Sequence, residues 1–291
     1  MESLISLVSR HNKVFRRDRT SVFFSLLSIL IVIGLYFIFL QKVQVDAIQQ
    51  ITNTSPDIVA MVNEWVVAGL LSMIGVTSTL AAFGLAVQDR ETKIAADFLT
   101  APISRAKIQL SYVINAFIIG LTFSFIAFII SEIFIVATGG SFLSLEATLK
   151  VIGLLVLTVL LASSMNMLFV LFTNTLSAFS TLSTIIGTLI GFLAGVYVPM
   201  GVLPNFAQNL IMVFPISHSS LLLRNAFMGD SINNVFVGVP VDYIEQYKMS
   251  FGILYEMNGS ILPLSTSLFI IVGSIIIFTI TSMIIFKRKN K

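Results

Sequence analysis

Five stretches of the chain carry no charged side chain: 20–41, 65–88, 108–131, 151–223 and 257–286. A helical membrane span needs roughly 20 apolar residues. Four of the stretches hold one span each. The fourth, 73 residues between Lys150 and Arg224, holds two. Six helices are therefore predicted, at about 21–40, 65–87, 109–131, 151–172, 177–198 and 264–286. Strands of a membrane barrel would instead alternate in segments of about ten residues. The remainder of the long stretch, 199–223, cannot cross again. Pro199, Pro204 and Pro215 break it, and the piece between the last two is too short to span. A broken apolar segment of this kind lines a cavity or packs on protein, and it reads as a helical hairpin at the outer leaflet.

Lysine and arginine orient the spans. Arg10, Lys13, Arg16, Arg17 and Arg19 precede the first. Arg90, Lys93, Arg105 and Lys107 lie between the second and third. Lys287, Arg288, Lys289 and Lys291 follow the last. These are thirteen of the 17 bases. Basic residues favour the cytoplasm, so both termini are expected inside, which requires an even number of spans.

Composition agrees with a multi-pass membrane protein. The chain of 291 residues is 56% hydrophobic and 11% charged, with a mean hydropathy of +0.98, against about 25% charge in soluble domains. The net charge of +3 sits beside the spans, so the membrane explains it and nucleic acid is not needed. Cysteine is absent, which excludes disulfides and thiolate chemistry. The apolar run 20–41 is long for a signal-peptide core and lacks a cleavage site. No phosphate-binding G-x-x-x-x-G-K-[ST] loop, H-E-x-x-H or G-x-S-x-G occurs, so no catalytic, cofactor-binding or metal-binding residue is assigned. Asn53 and Asn258 fall in glycosylation patterns that are common by chance.

Four segments carry candidate chemistry. Residues 1–20 place Leu4, Leu7, Val8, His11 and Phe15 at helical spacing, with Arg10, Lys13, Arg16 and Arg17 around them. This is a surface helix, either a lipid anchor or a docking helix for a cytoplasmic partner. In the loop 88–104, Asp89 and Lys93 are spaced to pair at i,i+4. Ile94 and Phe98 form an apolar edge, Pro102 stops the helix, and Ser104 caps the next. By charge alone this loop is a solvated turn that sets topology. The fifth span repeats Gly187, Gly191 and Gly195 beside Ser177, Thr181, Thr184 and Thr188. Such spacing lets backbones approach closely, within one subunit or between two, and the hydroxyls suit a wet pathway. Thr77, Ser78, Thr79 and Asn166 give a weaker signal of the same kind. Last comes 199–224, with His218 expected to be a hydrogen-bonded interfacial residue. Glu132 is expected to be the one acid close to the core, able to reach water.

Two motifs are specific in combination. One is Arg90-Glu91 followed by Phe98-Leu99-Thr-Ala-Pro102-Ile-Ser-Arg105. The other runs from Gly195 through Pro199, Pro204 and Pro215 to Arg224. Together they resemble the ABC-2 type permease family. The resemblance implies an all-α membrane protein: six transmembrane helices, an N-terminal amphipathic interface helix, and a re-entrant hairpin between spans five and six. It makes 1–291 a single transmembrane domain, with 225–263 an extracellular loop. It implies a half-size subunit of the bacterial plasma membrane that pairs with a second permease, identical or not. Two separate ATP-binding cassette subunits, which carry the ATP and Mg, dock beneath. Asp89, Arg90, Glu91, Lys93, Phe98 and Leu99 then belong to a coupling helix, and the second and fifth spans flank the cargo path. The 25 Phe suit a hydrophobic or amphipathic cargo: a drug, an antimicrobial, a lipid-like toxin or a haemolysin. Lipid-linked polysaccharide is the alternative. A secondary transporter would need an intramembrane ionisable site, and a scaffold would need no re-entrant segment.

Overall fold

The computed structural model describes residues 2–20, 22, 23, 27, 31, 34, 36, 38, 41–49, 57–257 and 259–289. The predicted span 21–40 and both glycosylation asparagines lie largely or wholly outside these residues.

The described helices are α1 (Glu2–Arg17), α2 (Gln41–Gln49), α3 (Asp57–Glu91), α4 (Ile94–Thr100), α5 (Arg105–Ala137), α6 (Leu145–Val170), α7 (Leu176–Leu193), α8 (Asn205–Val213), α9 (Pro215–Val235), α10 (Val241–Ser250) and α11 (Leu264–Lys289), with a 3-10 turn at Met200–Val202. Strands β1 (Glu256–Met257) and β2 (Ser260–Ile261) form a small antiparallel hairpin. Among the described residues five helices are long and apolar enough to cross a membrane: α3, α5, α6, α7 and α11. They coincide with predicted spans two to six. A sixth candidate is the pair α8–α9, bent by 88° at Phe214.

The bundle is built on α3. Between Trp65 and Val87 its residues are apolar or small on every side, the pattern of a helix enclosed by protein. It packs on α5, α6, α7 and α9. Gly75 lies against Thr158 and Val159 of α6, where small residues permit a close approach. Asn166 donates from Nδ2 to the Val76 carbonyl at 2.9 Å and to Thr79 Oγ1 at 2.8 Å. Thr79 and Asn166 are thus core contacts between α3 and α6, not the lining of a wet path. By contrast α7 and α11 are mostly exposed.

The spans differ in length from their predicted ranges for local reasons. Charged ends lengthen α3 in both directions, so Glu64 falls inside the helix and is buried. The fifth span is shorter, because Gly195 turns the chain into the left-handed region at φ +64°. Gly195 N donates to the Phe192 carbonyl and Val196 N to that of Gly191, the paired bonds of a Schellman end. Pro215 opens α9 at its first position, where the missing N–H costs nothing. Pro204 stands before α8 and Pro199 before the 3-10 turn. The segment 225–263 is not one loop: α9 continues to Val235, and α10 and the hairpin follow.

Candidate functional site

At the basic end of the bundle three consecutive residues terminate α3, and each is fastened to a different element. Asp89 is buried and turned towards α1. Its carboxylate accepts from Arg10 Nη1 at 2.7 Å and Nη2 at 2.8 Å, and from the Tyr112 hydroxyl at 2.7 Å. Arg90 donates from Nη1 to the Val170 and Thr173 carbonyls at 2.9 and 2.8 Å, satisfying the end of α6. Glu91 accepts from Leu176 N at 3.1 Å, at the start of α7, where a helix dipole favours an anion.

The predicted Asp89–Lys93 pair does not form. The helix stops at Glu91, and Lys93 has φ 63°, so the two residues share no helical face. Asp89 takes Arg10, 79 positions away. Beyond this break α4 is short and largely exposed. Phe98 is half-buried, with the Arg10 guanidinium 5.1 Å from its ring centre. The side chain of Leu99 lies outside the described residues. Ser104 takes the cap position of α5 without a side-chain bond.

α1 lies against the start of α5 through Leu7, His11 and Phe15. The His11 ring stacks on Tyr112, centroids 4.2 Å apart, and its Nε2 lies 3.0 Å from Ser111 Oγ. Burial lowers the His11 pKa to about 4, helped by the adjacent Arg10 charge and opposed by Asp89. Lys13, Arg16 and Arg17 are exposed, while Arg10 points inward. Between α1, α3 and α7 lies a cavity of about 530 Å³. Val14, Phe15, Leu80 and Phe179 give it apolar walls, and Thr77, Gln88 and Ser183 add polar groups.

The glycines of α7 do not form one seam. Gly187 has open space where a Cβ would stand, and Gly191 is filled by the ring of Tyr197 from its own chain. Gly195 lies beyond the helix. Thr181, Thr184 and Thr188 are exposed, and each hydroxyl donates to the carbonyl four residues earlier.

Along α3 the opposite end, at Trp65, is about 36 Å from Asp89. There Arg224 is enclosed. His218 is also fully buried and hydrogen-bonded, with Nδ1 2.9 Å from Ser267 Oγ and Nε2 2.8 Å from the Met212 carbonyl. Glu64 Oε1 accepts from Ser231 Oγ at 2.8 Å. Glu132 Oε2 accepts from Leu143 N at 3.1 Å. Glu132 is thus not the one acid near the core: Glu64 and Asp89 are more deeply buried. Helical reach past the uncharged stretch could have signalled both, since each stands one residue outside it. A cavity of about 440 Å³ opens between α8, α10 and β1, with Asn205, Gln208, Asn209 and Gln246 among its lining residues.

The sequence profile of the ABC-2 type transporter family matches residues 2–228. The chain belongs to this family. Among curated proteins none matches it. ABC-2 permeases are membrane components of transporters and are not themselves catalytic. Membership implies an ATP-binding partner, and the apolar helices make the chain a multi-pass membrane protein.

Proposed function

We propose that this ABC-2 permease is the membrane half of an ATP-driven exporter that moves a hydrophobic or amphipathic compound outward. Two permease subunits pair, and two ATP-binding cassette subunits carrying ATP and Mg dock on the basic end, which faces the bacterial cytoplasm together with both termini. α1 serves as the interface helix, α4 as the coupling helix, and the bent pair α8–α9 as the re-entrant closure of the exit.

The observation that carries this reading is the end of α3. A displacement of the exposed α4 acts on Asp89, Arg90 and Glu91 together. Through them it reaches α1, the end of α6 and the start of α7. A signal of nucleotide state needs contacts that differ between two conformations, and this junction offers three. The cavity beside it supports the cargo class. Its apolar walls and few polar groups suit an amphipathic small molecule, and the exposed hydroxyl-bearing face of α7, on the other side of that helix, is the face offered to a partner copy.

Glu91→Ala tests the assignment with little structural cost. The side chain is exposed and makes one bond, so stability changes by less than about 1 kcal/mol. The variant should reach the membrane normally, while cargo-stimulated ATP hydrolysis, measured with a candidate ATP-binding subunit added, falls at least about tenfold, or roughly 1.4 kcal/mol. The permease alone should hydrolyse no ATP. Normal transport by well-expressed Glu91→Ala would remove the coupling role, and ATP hydrolysis by the isolated chain would remove the half-transporter reading.

A further inference from the structure

Arg224, on α9, carries a charge that the interior cannot neutralise by deprotonation. It is 2% exposed, and among the described residues no carboxylate lies within ion-pair distance of it. Its Nη2 donates to the carbonyls of Ala194 and Gly195, both at 2.8 Å, and Nη1 to that of Gly252 at 3.4 Å. The Trp65 ring centre lies 4.7 Å from Cζ, and Trp65 Nε1 donates to the Phe251 carbonyl at 2.7 Å.

The accepting carbonyls share an origin. Ala194 and Gly195 close α7, and Gly252 closes α10 with the same bond pattern: Gly252 N to Met249 and Ile253 N to Lys248. The guanidinium therefore sits between the C-terminal ends of two helices, each bearing about half a negative charge. The socket is shaped for it. A Cβ added at Gly69, Gly195 or Gly252 would stand 3.0–3.1 Å from its nitrogens, and the latter two glycines have φ +64°. Gly252 also abuts Tyr255 and Met200, which line the 440 Å³ cavity.

We propose that Arg224 is the positioning residue that holds the exit shut by pinning the end of α7 to α9 and to the floor of that cavity. If α7 moves away, the permanent charge needs replacement acceptors, and water entering from the cavity supplies them. The end of the bundle then has two arrangements, bonded and dry or separated and wet, and a push on the start of α7 at Glu91 biases which is populated. Asn225, whose Nδ2 donates to the Ile253 carbonyl at 2.6 Å, holds the α10 turn independently. The contact peculiar to Arg224 is thus the end of α7.

The word exit rests on the exporter reading, but the pin is tested without ATP or a partner. The chain has no native cysteine. Ala194→Cys, 1% exposed, reports the end of α7, and Ala116→Cys, fully buried on α5, reports the rest of the bundle. Modification by an impermeant thiol reagent is timed in the full chain in nanodiscs. In an Arg224→Met background, position 194 should react at least about tenfold faster, the factor implied by losing a charge-assisted hydrogen bond, with position 116 unchanged. Arg224→Lys, which keeps the charge but not the fork, should give an intermediate rate, and it carries the comparison if Arg224→Met does not fold. An unchanged rate at 194, or equal acceleration at both positions, overturns the proposal. The first means that Arg224 does not hold α7, the second that it is a general strut.

Discussion

Asp89 and Arg10 form a bidentate pair whose partners are unequal. The Asp89 side chain is 1% exposed and that of Arg10 31%. Removing one member of a buried pair is expensive because the other is left charged in a poor solvent. Arg10→Ala strands the carboxylate with only the Tyr112 hydroxyl, whereas Asp89→Asn leaves an arginine that can turn to water. Arg10→Ala should therefore cost about 3 kcal/mol and Asp89→Asn about 1 kcal/mol, measured by denaturant unfolding of the purified chain. The reverse order would mean that Asp89 is solvated in the folded protein. This pair was not legible in the sequence. Spacing nominated Lys93, on the premise that the helix continued. A left-handed residue two positions after Glu91 removed that premise, and the true partner is distant in the chain. Pro199, Pro204 and Pro215 were legible, because a missing N–H restricts a residue to helix starts and turns wherever it occurs.

The elements were read from periodicity, and α1 shows how far that goes. Leu7, His11 and Phe15 recur at every fourth position, and they are the residues that α1 buries. The spacing could not show that His11 would lie between Arg10, Asp89 and Tyr112. The glycine repeat of α7 was misleading for a related reason. Regular spacing describes a seam only while the helix continues, and Gly195 ends it. The His11 environment has a pH consequence. Docked, its pKa is about 4; on a released α1 it returns to the ordinary 6.5. Between those values the released form binds a proton that the docked form does not, so acid favours release. Docking is at full strength above about pH 6.5, weakens by up to about 1.4 kcal/mol per pH unit as pH falls, and levels off below about pH 4. The unfolding midpoint of the wild-type chain should fall between pH 7.5 and 5, and that of His11→Gln should fall less. Equal shifts in the two proteins would remove His11 from the response.

At the scale of the molecule the two ends differ in kind, and the difference sets how it lies in the membrane. The end of α3 near Asp89 gathers α1, α4 and the bases of the loop 88–107. The end near Trp65 gathers Glu64, Asp230 and Glu132 with α8, α10 and the hairpin. Lysine and arginine bias towards the cytoplasm while acids contribute little, so the first end should be inside and the second outside. Spans two to six were legible because a membrane helix needs only length and apolarity, while the folded form of 225–263 was not, being fixed by contacts of α10 and its turn with Trp65 and Arg224. Those contacts also select the probes. Ser231 is a poor reporter, since its hydroxyl is engaged by Glu64. Val237, 79% exposed after α9, and Thr92, exposed between α3 and α4, are better. In intact cells an impermeant thiol reagent should modify Val237→Cys and leave Thr92→Cys untouched until the membrane is opened. Modification of Thr92→Cys from outside would invert the molecule. It would place the junction of Asp89, Arg90 and Glu91 where no ATP is available, and both the coupling role of α4 and the exit role of the Pro199–Arg224 segment would fall together.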